Sequence, residues 1–138
     1  MTTIHASAVA IGGRGLLILG PSGAGKSSLA LALMAQGALL VADDRVQLSV
    51  RDGGLVAACP APLLGRIEAR GVGILSAAAA AGPVPVVQVV DLGRAETMRL
   101  PPRRSITLHG VGLPLVLGPM GPHLAPALRQ LLLGGRCD

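Results

Sequence analysis

Aromatic residues are absent from this chain: its 138 residues include no Phe, Tyr or Trp. Proteins that hold single-stranded nucleic acid stack the bases on aromatic side chains, so this absence argues against a nucleic-acid partner despite a net charge of +5. The arginines are scattered rather than clustered, and we interpret the positive charge as suited to anionic ligands. The core must be aliphatic, which provides less buried area per residue.

Cysteines and uninterrupted apolar runs are also scarce. Cys59 and Cys137 are isolated in the sequence, and we expect free thiols. The two longest uncharged stretches, 71–90 and 105–128, are broken by Gly and Pro, which favours buried strands and turns over membrane spans. The N-terminus lacks the basic start and apolar centre of a secretion signal, so we expect a cytoplasmic protein without a membrane partner. The length predicts a single domain, residues 1–138.

Lysine occurs once, within a phosphate-loop pattern. Lys26 completes the motif G-x-x-x-x-G-K-[ST], preceded by a predicted strand over 15–19 and followed by a predicted helix over 28–34. In that context backbone N–H groups and the helix N-terminus bind phosphates, the lysine reaches the β- and γ-phosphates, and the hydroxyl of Ser27 binds Mg²⁺. The residues predicted to bind the nucleotide are Gly20, Pro21, Ser22, Gly23, Ala24, Gly25, Lys26 and Ser27.

The remainder of the chain is rich in predicted strands. Turn signals at 12–13 and 52–54 predict hairpins, and two glycines within 63–75 make a long helix there unfavourable. The alanine run predicts a brief helix over 76–81, and a second clear helix is predicted over 122–133. Further strands are predicted over 4–11, 39–42, 45–50, 55–58, 84–92 and, as one or two strands, 105–117. The fold class is therefore α/β with a mixed sheet.

Two adjacent acids, Asp43 and Asp44, end the predicted strand 39–42, where α/β folds place their ligand sites. Neighbouring strand residues point to opposite faces, so one carboxylate could act as a base while the other binds metal or stabilises the local structure. If Asp43 is the base, the second role falls to Asp44. A solvated turn is the alternative. Glu68, between two arginines, is by its own chemistry more typical of a surface acid. His5 alone is more typical of a structural or exposed histidine.

Four ordered segments are together more specific than the phosphate loop: His5, Gly20–Ser27, Leu40–Val46 and Ile67–Leu75. They resemble the catalytic domain of HPr kinase/phosphorylase, which acts on a seryl side chain of the phosphocarrier protein HPr. The resemblance implies a fold like that of phosphoenolpyruvate carboxykinase, ATP and Mg²⁺ as cofactors, HPr or an HPr-like carrier as partner, and a homo-oligomer, typically a hexamer.

The resemblance also implies catalytic roles. Asp43 would accept the proton in phosphorylation and donate it in the reverse attack by inorganic phosphate, with His5 and Lys26 as the other active-site groups. Arg70, a planar donor that is always ionised, could offset charge on the transferring phosphoryl group.

The same resemblance implies a metal site. Ser27 and Glu68 would bind Mg²⁺, and this assignment replaces the surface role that the chemistry of Glu68 alone suggests. The segment 67–76 would be needed for both directions of the reaction.

The chain departs from the family pattern at three places. Ser28 stands where the family usually has Glu, the chain begins almost at the histidine rather than after an N-terminal domain, and no Gly-Arg-Asn segment follows Val90. Arg103 or Arg104 is the candidate substitute for the arginine of that segment. The predicted activity is therefore that of a serine kinase, and the phosphorylase direction depends on a substitute for the missing arginine. The alternatives are a nucleotide-sensing module without full catalysis and a small-molecule phosphotransferase of the same fold.

Overall fold

The computed structural model describes residues 1–138, which form eleven strands and two α-helices. The strands are β1 (Thr2–Ile4), β2 (Ser7–Ile11), β3 (Arg14–Leu19), β4 (Leu39–Ala42), β5 (Val46–Arg51), β6 (Gly54–Ala58), β7 (Arg66–Ala69), β8 (Gly73–Ser76), β9 (Val84–Ala95), β10 (Arg104–Leu108) and β11 (Val111–Gly118). The helices are α1 (Lys26–Met34) and α2 (Leu124–Gly134), and a single 3₁₀ turn covers Ala61–Leu63.

Nine strands form one mixed sheet, which confirms the predicted fold class. The strand order is β1-β5-β6-β9-β3-β2-β4, with β11 and then β10 added beside β9. The long strand β9 runs parallel to β3 and β11, whereas the other neighbours are antiparallel. Leu19, the last residue of β3, is paired with Asp91 on β9, so both strands reach the phosphate loop at their carboxyl ends.

Aliphatic layers cover both faces of the sheet. Successive residues of β2 and β3 alternate between them: Ala8 and Leu17 belong to a cluster of 16 buried residues, and Val9 and Leu16 to a cluster of 15. The second cluster includes the inward sides of α1 and α2. The two helices therefore cover one face of the sheet, and this packing keeps the start of α1 close to the end of β3. Neither helix combines the length and the continuous apolar character that crossing a membrane requires.

The segment between β6 and β9 contains a separate hairpin. β7 and β8 pair only with each other, which agrees with the expectation that no long helix occurs in this region. The helix predicted over 76–81 is wrong. Leu40 of β4 donates its N–H to the carbonyl of Ala78 at 3.0 Å and accepts from the N–H of Ala80 at 2.8 Å. These alanines therefore pair with the edge of β4, and strand pairing overrides their helix propensity.

Candidate phosphotransfer site

The phosphate loop connects β3 to α1 and ends at the helix N-terminus. Gly25, the residue before the helix, has φ of 103°, a left-handed conformation that side chains other than glycine rarely adopt. A Cβ atom at this position would come within 3.2 Å of the Met120 side chain. Glycine is therefore required here both by the backbone turn and by the close approach of the chain after β11. The turn leaves the first N–H groups of α1 available for an anion.

Lys26 is largely buried, with 7% of its surface exposed. Its Nζ donates hydrogen bonds to the carbonyl oxygens of Gly20, at 2.7 Å, and Pro21, at 3.1 Å. The ammonium group thus curls back over the loop that precedes it, in the position expected for a charge that contacts terminal phosphates. No carboxylate lies within ion-pair distance of it.

Asp43, the residue directly after β4, joins three segments of the chain. Its Oδ1 accepts hydrogen bonds from the hydroxyls of Ser7 and Ser27, both at 2.7 Å. Its Oδ2 accepts from the backbone N–H of Glu68 at 3.0 Å. With only 6% of its surface exposed, this carboxylate is satisfied by uncharged donors from β2, α1 and β7.

Asp44 faces a different environment. It is exposed, has φ of 70°, and its Oδ1 lies 2.8 Å from Nε2 of His5. Arg45 is a more distant partner, with its Nε 3.9 Å from Oδ2 of Asp44. The two adjacent carboxylates therefore contact separate groups: Asp43 is bound within the protein, whereas Asp44 and His5 form an accessible pair.

The β7–β8 hairpin brings Glu68 and Arg70 to the same place. Glu68 makes no ion pair with Arg66 or Arg70, although both flank it in sequence. Its side chain instead borders a cavity of about 280 Å³, on which Arg70 also lies. A second cavity, of about 240 Å³, adjoins the first and shares Asp44 and Glu68 with it.

The larger cavity brings together nine of the thirteen residues that the sequence predicted for the site. No hydrophobic residue lines it. The lining residues are His5, Ser7, Ser22, Gly23, Gly25, Lys26, Ser27, Ser28, Asp44, Glu68 and Arg70. Of the other four, Asp43 borders the smaller cavity, and Gly20, Pro21 and Ala24 border neither of the two. The arrangement places a cation, a pair of groups able to carry a proton, and several oxygen donors around one space.

The oxygen donors of this cavity suit Mg²⁺. No three His, Cys, Asp or Glu side chains converge as a self-contained metal centre. Ser27 and Glu68 border the same space, with Asp44 nearby, and all three offer oxygen. Mg²⁺ at nucleotide sites typically takes one or two protein oxygens together with phosphates and water, so the residues present fit this ion.

Arg103 and Arg104 lie outside this cavity and have other partners. Nη2 of Arg103 donates to the main-chain oxygen of Asp138 at 2.8 Å. Nε and Nη2 of Arg104 donate to the two carboxylate oxygens of Glu96, at 2.8 and 3.0 Å. This guanidinium holds the pKa of Glu96 at about 2, below its usual value of 4.5. Neither arginine is placed to substitute for the missing Gly-Arg-Asn arginine.

Ser7 is a site residue that the sequence reasoning missed. It has no exposed surface, yet it borders the cavity and binds Asp43. The available signal was a single hydroxyl in the otherwise apolar segment 6–11. Its partner is 36 residues away in sequence, so the hydrogen bond could not be inferred from local pattern.

Comparisons with known proteins agree with this geometry. The family model of the HPr Serine kinase C-terminal domain matches residues 1–92, which include Asp43 and every residue that lines the larger cavity. The HPr kinase/phosphorylase of Bordetella pertussis is 39% identical over 125 residues, covering 83% of this chain and 40% of that protein. The protein of the same name from Clostridium botulinum is 42% identical over 74 residues, covering 54% and 24%. The chain thus spans less than half the length of these curated relatives.

A solved structure extends the likeness to nearly the whole chain. The Hpr(Ser) kinase/phosphatase from Coxiella burnetii superposes with a TM-score of 0.81 at 30% identity, covering 96% of this chain and 89% of that one. The mixed sheet with its phosphate loop is the phosphoenolpyruvate carboxykinase-like fold that the four motifs implied. On the family match, the sequence identities and this superposition, the chain belongs to the HPr serine kinase C-terminal domain family.

Proposed function

We propose that this chain is an ATP-dependent kinase that phosphorylates a serine of HPr or an HPr-like phosphocarrier protein. The observation that carries the proposal is the single polar cavity shared by Lys26, Ser27, Glu68 and the His5–Asp44 pair. Phosphoryl transfer depends mainly on positioning and on stabilising charge, and this cavity provides groups for both. The family supports HPr as the acceptor.

In the forward direction, residues 20–27 hold the phosphates through backbone N–H groups, and Lys26 contacts the terminal phosphates. Mg²⁺, held by Ser27 and Glu68, would neutralise charge on the phosphate oxygens. The seryl oxygen attacks the γ-phosphorus, its proton passes to a protein base, and the bond to the β-phosphate oxygen breaks to release ADP. Arg70, on the cavity wall, offsets charge on the moving phosphoryl group.

In the reverse direction, inorganic phosphate attacks the phosphoserine. A new P–O–P bond forms, the bond to the seryl oxygen breaks, and the serine regains its proton from the same protein group. This phosphorylase activity uses the same cavity and is the second half of the proposal.

The hydrogen bonds favour Asp44, rather than Asp43, as the group that exchanges the seryl proton. Asp44 borders the larger cavity, is exposed to solvent and is hydrogen-bonded to His5. A proton that Asp44 accepts from the serine can therefore pass to the neighbouring imidazole or to water. Both oxygens of Asp43 already accept hydrogen bonds, one of them from Ser27. Asp43 is therefore better placed to orient the metal-binding hydroxyl.

The experiment is a mass-spectrometric phosphosite assay with purified chain, Mg-ATP and HPr, run forward with ATP and backward with inorganic phosphate. Asp44→Asn should lower the forward rate by about 10²- to 10⁴-fold, the range for losing a general base. Asp43→Asn should mainly increase the Mg²⁺ concentration required. Asp52→Asn is the matched control, because Asp52 also has positive φ but lies in a turn away from the cavity.

The reverse pattern would identify Asp43 as the general base. In that pattern, Asp43→Asn loses all kinase activity at every Mg²⁺ concentration, whereas Asp44→Asn retains it. Absence of phosphoserine across several HPr homologues would reject carrier phosphorylation itself.

The engagement of Arg103 and Arg104 by other groups favours a second candidate, a nucleotide-sensing module that binds ATP without turnover. Tight binding of Mg-ATP with no phosphate transfer to carrier would support this candidate. Robust carrier phosphorylation would eliminate it.

The proposal extends to organisation and location. Residues 1–138 act as one catalytic domain, the chain assembles as a homohexamer, and it works in the cytoplasm, where a phosphocarrier would be its partner. Sedimentation of the purified chain tests the assembly: a monomer at micromolar concentration would contradict it.

A further inference from the structure

Ser7 is the one fully buried polar residue that lines the cavity and to which no role has been given. It lies at the start of β2, where its backbone is paired with Ile18 of β3, so its position is fixed by the central sheet. The other residues of its strand, Ala8, Val9, Ala10 and Ile11, are all apolar, so Ser7 carries the only side-chain hydroxyl of β2.

The hydroxyl of Ser7 donates to Oδ1 of Asp43, the same oxygen that accepts the hydroxyl of Ser27. Hydrogen bonds to a charged acceptor are stronger than those between neutral groups, and a buried carboxylate is held by the donors around it. Asp43 has three such donors and no cation. Removing one of the three would leave Oδ1 bound only to Ser27.

The direction of the Ser27 hydroxyl depends on this arrangement. While the Ser27 hydroxyl donates its hydrogen bond to Asp43, the lone pairs of the Ser27 oxygen are free to face the cavity. This is the orientation that a metal ligand needs. A carboxylate that can rotate would let the Ser27 hydroxyl turn as well. The hydrogen bond from Ser7 thus acts on the Ser27 hydroxyl through the Asp43 carboxylate, as contacts outside the ligand shell do in many metal sites.

We propose that Ser7 is a positioning residue for divalent-metal binding, acting through Asp43 on the Ser27 hydroxyl. The inference rests on the proposed nucleotide site and adds to it a residue that acts on the metal ligand through Asp43. A purely structural role would change the thermal stability of the fold without selectively changing metal affinity.

The test is a titration of the purified chain with Mn²⁺, in the presence of a non-hydrolysable ATP analogue, followed by electron paramagnetic resonance. Ser7→Ala should bind Mn²⁺ about tenfold more weakly, the lower end of the loss that is typical when an outer contact of a metal site is removed. Ser7→Thr, which keeps the hydroxyl, should restore binding. Ser49→Ala on β5 is the matched control, since its hydroxyl makes no hydrogen bond and lies off the cavity.

Thermal unfolding of each variant separates folding from positioning. If Ser7→Ala fails to fold, Ser7→Cys replaces it, because a thiol has similar size but donates weakly, and it too should lower Mn²⁺ affinity. Equal Mn²⁺ affinity in the wild type and in a folded Ser7 variant overturns the role of Ser7 alone. A wild-type chain that binds no Mn²⁺ with the nucleotide analogue overturns the proposed function, and the role of Ser7 with it.

Discussion

Gly15→Ala should destabilise the fold because β3 approaches β9 too closely for a side chain at this position. A Cβ atom on residue 15 would lie 2.6 Å from the carbonyl oxygen of Pro85 and 3.1 Å from Cγ2 of Val84. Neither group can move freely, since Val84 and Pro85 are also paired with β6. The first distance is several tenths of an ångström shorter than an ordinary carbon–oxygen contact, so the two strands must separate.

The magnitude follows from what has to shift. Overpacking a well-packed interior costs about 1–3 kcal/mol, and a backbone contact puts this case near the upper end, at about 3 kcal/mol. For a chain of this length that is a drop in Tm of about 10 °C. Differential scanning calorimetry measures it directly. The matched control is Gly112→Ala on β11, where an added Cβ meets nothing within 4 Å and stability should stay unchanged or rise by up to about 1 kcal/mol.

The result that refutes this reasoning is a Gly15→Ala protein with the Tm of the wild type. Equal decreases in Tm for Gly15→Ala and Gly112→Ala would also contradict it, because the close contact present only at residue 15 would then have no effect on stability. The expected loss of stability depends only on the packing of β3 against β9 and is independent of any nucleotide or carrier.

Two further outcomes are expected. Lys26→Ala should weaken ATP binding by about 10- to 100-fold, the value of one charge-assisted hydrogen bond, measured by calorimetric titration; because Lys26 is the only lysine, bound ATP should also slow acetylation of the single side-chain amine. Glu96→Gln should lower Tm at neutral pH. Since the folded pKa of Glu96 is about 2 against a usual 4.5, the difference in Tm from the wild type should be fully present above about pH 4.5 and disappear as the pH falls towards 2.

The phosphate loop could be predicted from sequence because its determinants are local. Gly25 and Lys26 are adjacent, the strand before them and the helix after them are short apolar runs, and the loop geometry follows from glycine at that point. The predicted hairpin at 12–13 and the strands 39–42 and 84–92 form for similar reasons, although β9 continues to Ala95.

The remaining features depend on partners far away in sequence. The alanines at 78 and 80 pair with Leu40, which no helix propensity could reveal. Asp43 and Asp44 look equivalent as neighbours, and only the donors arriving from β2, α1 and β7 distinguish them. In the same way, the sequence leaves Arg104 as a candidate for the site, and only its pairing with Glu96 gives it another place.

The three hydrogen bonds to Asp43 also bear on how the site can move. They come from the central sheet, the phosphate-loop helix and the separate β7–β8 hairpin, so the hairpin cannot lift without uncovering a buried charge. Glu68 supplies one of those bonds through its backbone while its side chain borders both cavities. A displacement of the hairpin would therefore disturb the carboxylate that also accepts the Ser27 hydroxyl, so the position of Glu68 is tied to that of the phosphate-loop helix.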